Sequence, residues 1–176
     1  MNEFGPEAVA TVRAGVVLDF ASSELFSRTF QDGMELVEEV AAYLDGPGRQ
    51  DSKLLSRQGA LAYAAESMRL TTRLMQVASW LLVQRAVREG DMTAAEACQS
   101  RYRIPISRPD PEAETPGDTP AHLSSLADRS KRLYERVVHL DRRMYLELPV
   151  EEADHPVLSQ MDRLRAAFDR PDEAVA

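Results

Sequence analysis

At 176 residues the chain fits one ordinary domain and can bury a core without help from disulfides or metal. A net charge of −8, with pI near 5.0, repels phosphate backbones and argues against nucleic acid as a partner. Cys98 stands alone, no basic-then-apolar leader opens the sequence, and the densest apolar window, Leu74 to Val83, is half the roughly 20 residues a bilayer span takes, so a soluble cytoplasmic protein with no membrane partner is expected.

Proline breaks helix interiors, so the proline-free windows 7–46, 48–104 and 121–148 mark where long helices can form. The chain is therefore expected to be all-α, a three-helix bundle of long helices with short accessory helices and flexible termini. Residues 1–21 hold Val9, Val12, Val16, Val17, Leu18 and Phe20, but Gly5, Pro6 and Gly15 interrupt any sustained pattern, which suggests a mobile N-terminal segment. The bundle proper is expected over 22–148. Its first helix falls at about 22–44, where Phe26, Phe30, Val37, Ala41 and Leu44 share one face, Ser22 or Ser23 can cap, and Asp45-Gly46-Pro47-Gly48 supplies the stop.

The second helix is expected at about 52–89, ended by Gly90; at 1.5 Å per residue it would run roughly 55 Å and outreach its neighbours. From Leu74 to Val83 only Gln76 and Ser79 are polar, so this helix is apolar nearly all round and needs cover on two sides. One cover is the rest of the bundle. The other is either the same helix of a second subunit, since twofold homodimers are the commonest oligomers, or a short helix over 94–99 that the Thr93/Glu96 capping box would start. On the same helix Arg69, Thr72, Arg73, Gln76 and Trp80 lie together and form a candidate partner-binding face, because arginine and tryptophan are enriched among binding hot spots. The alternative is a buried Trp80 with the arginines paired to acids such as Glu66.

Residues 100–119, rich in proline, acid and small polar groups, are expected to form a flexible connector. A third helix follows at about 120–147, with Leu123, Leu126, Ser130, Leu133, Val137, Leu140 and Met144 forming a coiled-coil-like seam. Its other face, Asp128, Arg129, Lys131, Arg132, Glu135, Arg136, Asp141, Arg142 and Arg143, is expected to be solvated. Residues 149–176 form an acidic tail with a possible short helix at 157–168, and Ala174-Val175-Ala176 is a small, apolar end.

Catalytic chemistry has no signature. His122, His139 and His155 share no helical face, no glycine-rich phosphate loop exists, and Glu35, Glu38 and Glu39 lack the histidine that a di-iron bundle requires. No enzyme, no cofactor and no metal site are expected; a protein-binding module fits better.

The run ESMRLTTRLMQVASWLLVQRAV, with SSELFSRTFQDGMELVEEVAAYLDGPGR before it and HPVLSQMDRLRAAF after the third helix, resembles the RcdA family, small alphaproteobacterial regulators of CtrA degradation. The resemblance covers roughly residues 20–100 and 120–168. It implies a homodimeric helical-bundle adaptor for the ClpXP protease in cell-cycle control, which tethers regulatory substrates once a response-regulator partner has primed the protease. Unfoldases of the ClpX type engage small apolar tails, so Val175 and Ala176 become candidate protease contacts. A dimeric scaffold without protease involvement would share this fold, and a small-molecule-binding regulator would need a cavity between helices.

Overall fold

The computed structural model describes residues 6–105 and 119–145, and every described element is helical. Helix α1 spans Pro6–Ala21, α2 Glu24–Asp45, α3 Pro47–Leu54, α4 Arg57–Glu89, α5 Ala94–Ala97 and α6 Ala121–Tyr145, with a 3-10 turn at Ser100–Tyr102. The three long helices α2, α4 and α6 make the bundle.

Local chemistry sets most of the boundaries. Ser23 opens α2 by accepting the Phe26 N–H on its hydroxyl at 3.1 Å. At the other end the Gly46 N–H donates to the Ala42 and Tyr43 carbonyls, and Pro47 takes the first position of α3. Gly90, at φ 82°, closes α4 in the left-handed conformation that glycine adopts without strain. Both arms of the Thr93/Glu96 capping box are formed and start α5.

Side-chain pairs fix the directions of the helices. Trp80 meets Asp141 and Gln84 meets Tyr145, so α4 and α6 run parallel. Arg129 pairs with Glu39 and Arg136 with Asp32, so α2 runs against α6. The chain must therefore return the whole length of the bundle between α4 and α6. The core lies between these helices, around Phe26, Leu36, Val40, Leu70, Leu74, Val77, Leu81, Leu126 and Val137. Gly33 of α2 packs against Leu81 of α4, where an added Cβ would sit 2.7 Å from Leu81 Cδ1.

Four expectations need correction. Residues 6–21 are not a mobile terminus: α1 packs on α5 and on the bundle helices, burying Val17 and Ala21 completely and setting Phe20 5.7 Å from the Trp80 ring. Its apolar residues are spread around the helix rather than along one stripe, so periodicity does not reveal it. The helix expected at 52–89 is two helices, because Ser56 leaves the helical conformation and caps α4 through the Gly59 N–H. The connector expected at 100–119 begins as packed chain, with Ile104 buried and the Pro105 carbonyl accepting the Tyr134 hydroxyl. Asp141, expected in water, is 1% exposed. Residues 106–118, the possible helix at 157–168 and the tail residues Val175 and Ala176 lie outside the described residues.

Candidate functional site

Helix α4 carries most of the chemistry the chain displays. On its inner side Trp80, 1% exposed, donates its indole N–H to Asp141 Oδ1 at 3.0 Å. The same carboxylate receives Arg103 in a two-pronged ion pair, with Nη2 to Oδ2 at 2.7 Å. Arg103 also lies 4.4 Å from the centre of the Tyr145 ring. The Tyr145 hydroxyl accepts the Gln84 amide at 3.1 Å, and burial pushes its pKa up to about 12. Burial likewise raises the neighbouring Cys98 thiol above its ordinary value, against the opposing pull of Arg13 and Arg103, which disfavours the reactive thiolate.

About two turns before Trp80, Arg73 clamps α4 to α6. It donates to Ser130 Oγ at 2.8 Å, to the Ala127 carbonyl at 3.1 Å and to Glu66 at 3.0 Å. Arg69 pairs with the other oxygen of Glu66 at 2.8 Å. Of the five residues expected to form a partner-binding face, Trp80 is thus core, and Arg69 and Arg73 are committed to Glu66 and, for Arg73, to α6 as well. This corrects the expectation that all five present one contact surface: Glu66 on the same helix takes both arginines, and the packing of α6 brings Asp141 to Trp80.

Thr72 and Gln76 do reach a surface. With Met75, Ser79, Trp80 and Val83 they form one wall of an open groove of about 510 Å³, whose other wall is Arg101, Tyr102, Arg103 and Pro105. The Arg101 guanidinium stacks 4.6 Å from the centre of the Tyr102 ring. Among the described residues no acidic side chain lines the groove.

Beside the groove, the outward side of α4 presents Leu61, Met68, Met75 and Leu82, exposed at 66%, 72%, 66% and 51% and spaced seven residues apart. Small residues Ala65, Thr72, Ser79 and Ala86 fall between them. Helix α5 does not cover this stripe; it packs mainly on α1. Among the described residues no group of histidine, cysteine and carboxylate side chains is placed to hold a metal ion, and no helix is long and apolar enough to cross a membrane.

Sequence reasoning missed Asp141, Arg101 and Arg103. Asp141 stands four residues after Val137 and three before Met144, so it occupies the seam position assigned to Leu140; an acid in that register signals a buried cation or donor opposite. The arginines carried no such signal, because they belong to a segment with no periodicity.

Known proteins fit this architecture. Residues 17–168 match a family model described as "Protein of unknown function (DUF1465)". The crystal structure of RcdA from Caulobacter crescentus CB15 is 63% identical, with a TM-score of 0.62, over 74% of this chain and 98% of that one. The chain belongs to the RcdA family. No curated protein matches it. Membership of the RcdA family, whose name denotes regulation of CtrA degradation, supports a role in regulated proteolysis.

Proposed function

We propose that this RcdA-family chain is a non-enzymatic, homodimeric adaptor that delivers regulatory substrates to the ClpXP protease in the cytoplasm, in cell-cycle control, together with a response-regulator partner. The identity to RcdA is the observation that carries this reading. The surface of α4 supports it physically: large apolar side chains in water beside an open groove suit association with other proteins.

The two surfaces take different parts. Leu61, Met68, Met75 and Leu82, alternating with small residues at coiled-coil spacing, form a self-complementary seam for the α4 of a second copy. Thr72 and Gln76 contact substrate along the groove, while Arg69, Arg73 and Trp80 hold its supporting helix in place. Val175 and Ala176 engage the unfoldase.

Reconstituted degradation tests the reading. With ClpXP, the response regulator and a regulatory substrate, wild-type protein should accelerate proteolysis. Thr72→Arg with Gln76→Arg should lower delivery at least tenfold without loss of fold, and Val175→Asp with Ala176→Asp should abolish it while substrate binding persists. Light scattering should give a dimer for wild type and a monomer for Met68→Glu with Met75→Glu. A folded wild-type dimer that never accelerates degradation leaves a scaffold role in place of delivery.

A further inference from the structure

We propose that the groove between α4 and Arg101–Pro105 takes an extended peptide of a partner protein, with apolar side chains at alternate positions and an aspartate or glutamate at the end that meets Arg101. The proposal rests on the reading of this groove as a contact surface and names the chemistry of what it contacts.

The second wall decides the shape of the occupant. Arg103 is extended, at φ −76° and ψ 151°, and Pro105 biases Ile104 towards the same region. Ile104 is buried in the core, while Arg103 and Pro105 on either side of it line the groove. The wall is thus an extended stretch of chain laid along a helix. From Thr72 to Val83 the groove follows α4 for roughly 17 Å, at 1.5 Å per residue. A helix about 10 Å across and of that length would fill roughly 1,300 Å³, against a groove of about 510 Å³. About five extended residues span the same distance, at 3.3 Å each.

Charge decides the rest. Asp141 holds Arg103 beside Trp80, and the Pro105 carbonyl accepts Tyr134, which precedes Asp141 on α6. The wall therefore runs against α4, with Arg101 towards its Val83 end and Pro105 towards Thr72 and Gln76. Arg101 is exposed, and its guanidinium rests on the Tyr102 ring. Glu96 feels this charge, but its carboxylate is bonded to the Thr93 N–H and hydroxyl. Arg103 is matched on both prongs by Asp141. Among the described residues the groove thus holds one cation with no acid bonded to it, and no acid in its lining. A guanidinium with one face on a ring is weakly hydrated and suits a carboxylate. Met75, Val83 and Pro105 offer apolar contact along the same line, and Thr72, Gln76 and Ser79 offer hydroxyls and an amide to the peptide backbone. The net charge of −8 restricts the acid to one or two groups, since a longer acidic run is repelled.

Peptides capped at both ends test this on the full-length protein. Each alternates leucine with serine over eight residues and carries near one end a glutamate, a glutamine or a lysine. The Val83 methyl signals report the groove, with those of Val40 in the core and Leu61 on the exposed stripe as references. The glutamate peptide should shift Val83 and bind at least tenfold more tightly than the lysine peptide. Arg101→Glu should reverse that order and Arg101→Lys should keep it, with Val40 unmoved in both because residue 101 is exposed. The proposal is overturned if no peptide shifts Val83, if glutamate and lysine peptides bind alike, or if the preference survives Arg101→Glu. Shifts at Leu61 without Val83 overturn it as well, by assigning apolar peptides to the stripe. No protease is present, so the delivery role stands or falls separately. Peptide binding without accelerated degradation keeps the groove's chemistry and loses the adaptor; accelerated degradation without peptide binding does the reverse.

Discussion

The inner and outer faces of α4 each depart from an ordinary amphipathic helix, the inner by the polar groups set among its apolar ones and the outer by its large exposed apolar side chains. Inward, alongside its leucines and valines, it sets Trp80, Gln84 and Arg73, each with a partner on α6. Outward it sets Leu61, Met68, Met75 and Leu82 into water. Apolar burial is indifferent to which helix does the burying, whereas a directed donor requires one acceptor at one place. The inner polar contacts therefore select the parallel register of α4 on α6 and anchor the returning chain at Arg103. The outer face carries no such directed contact among the described residues, and its apolar side chains stay exposed there.

The sharpest way to break that contrast is Asp141→Ala. It strands the Trp80 indole N–H and the Arg103 guanidinium in a place water barely reaches, and should cost about 3–5 kcal/mol in urea unfolding. If the loss is below about 1 kcal/mol, the buried network is not what holds α4, α6 and the returning chain together.

Helix α1 extends the inner face, since Phe20 rests on both Trp80 and Phe26. Phe20→Ala should destabilise by about 3 kcal/mol, and α1 amides should then exchange faster than those of α2. An unchanged melting curve would show that α1 adds little to the bundle.

Alkaline pH probes the same face. Tyr145 has its pKa raised from 10.0 to about 12 in the folded chain, so the folded state holds its proton where the unfolded state has lost it. Its contribution is complete below pH 10 and is lost as pH rises towards 12, a fall on the order of 2 kcal/mol. Denaturant titrations at intervals across that range should show the decline, and Tyr145→Phe should lessen it, leaving the part due to Tyr43, whose phenol burial and Asp51 also keep protonated.

Away from α4, exposed ion pairs join α6 to α2, such as Arg136 with Asp32, at 3.3 Å. Arg136→Ala should change stability by no more than about 0.5 kcal/mol, and high salt should erase the difference. On the outer face itself, Leu61→Gln with Met68→Gln should leave the unfolding free energy of the isolated chain within about 0.5 kcal/mol of wild type. Its effect should appear in the concentration dependence of sedimentation. A large loss of intrinsic stability there would mean that the stripe is covered from within the chain.

Much of the helical framework is legible in the sequence because its signals are local. Ser23, Gly90 and the Thr93/Glu96 box act within one turn of chain, and the steps of three and four through Leu123, Leu126, Ser130, Leu133 and Val137 need only the helical repeat. Likewise the apolar excess of residues 74–83 marks α4, before any fold is known, as a helix that needs cover on more than one side. The family relationship rests on residue identity and so is also carried by the sequence. What only the tertiary structure decided is which polar residues face one another. Asp141 lies 61 residues from Trp80 and 38 from Arg103, and no periodicity spans such distances. That meeting turned Trp80 from a candidate contact into core and drew 100–105 out of an apparent linker to wall a groove, while Ser130 and the Ala127 carbonyl made Arg73 a clamp between α4 and α6. The physical reason is that a cap or a seam is determined by neighbours along the chain, whereas burying a charge depends on what long-range packing brings to it.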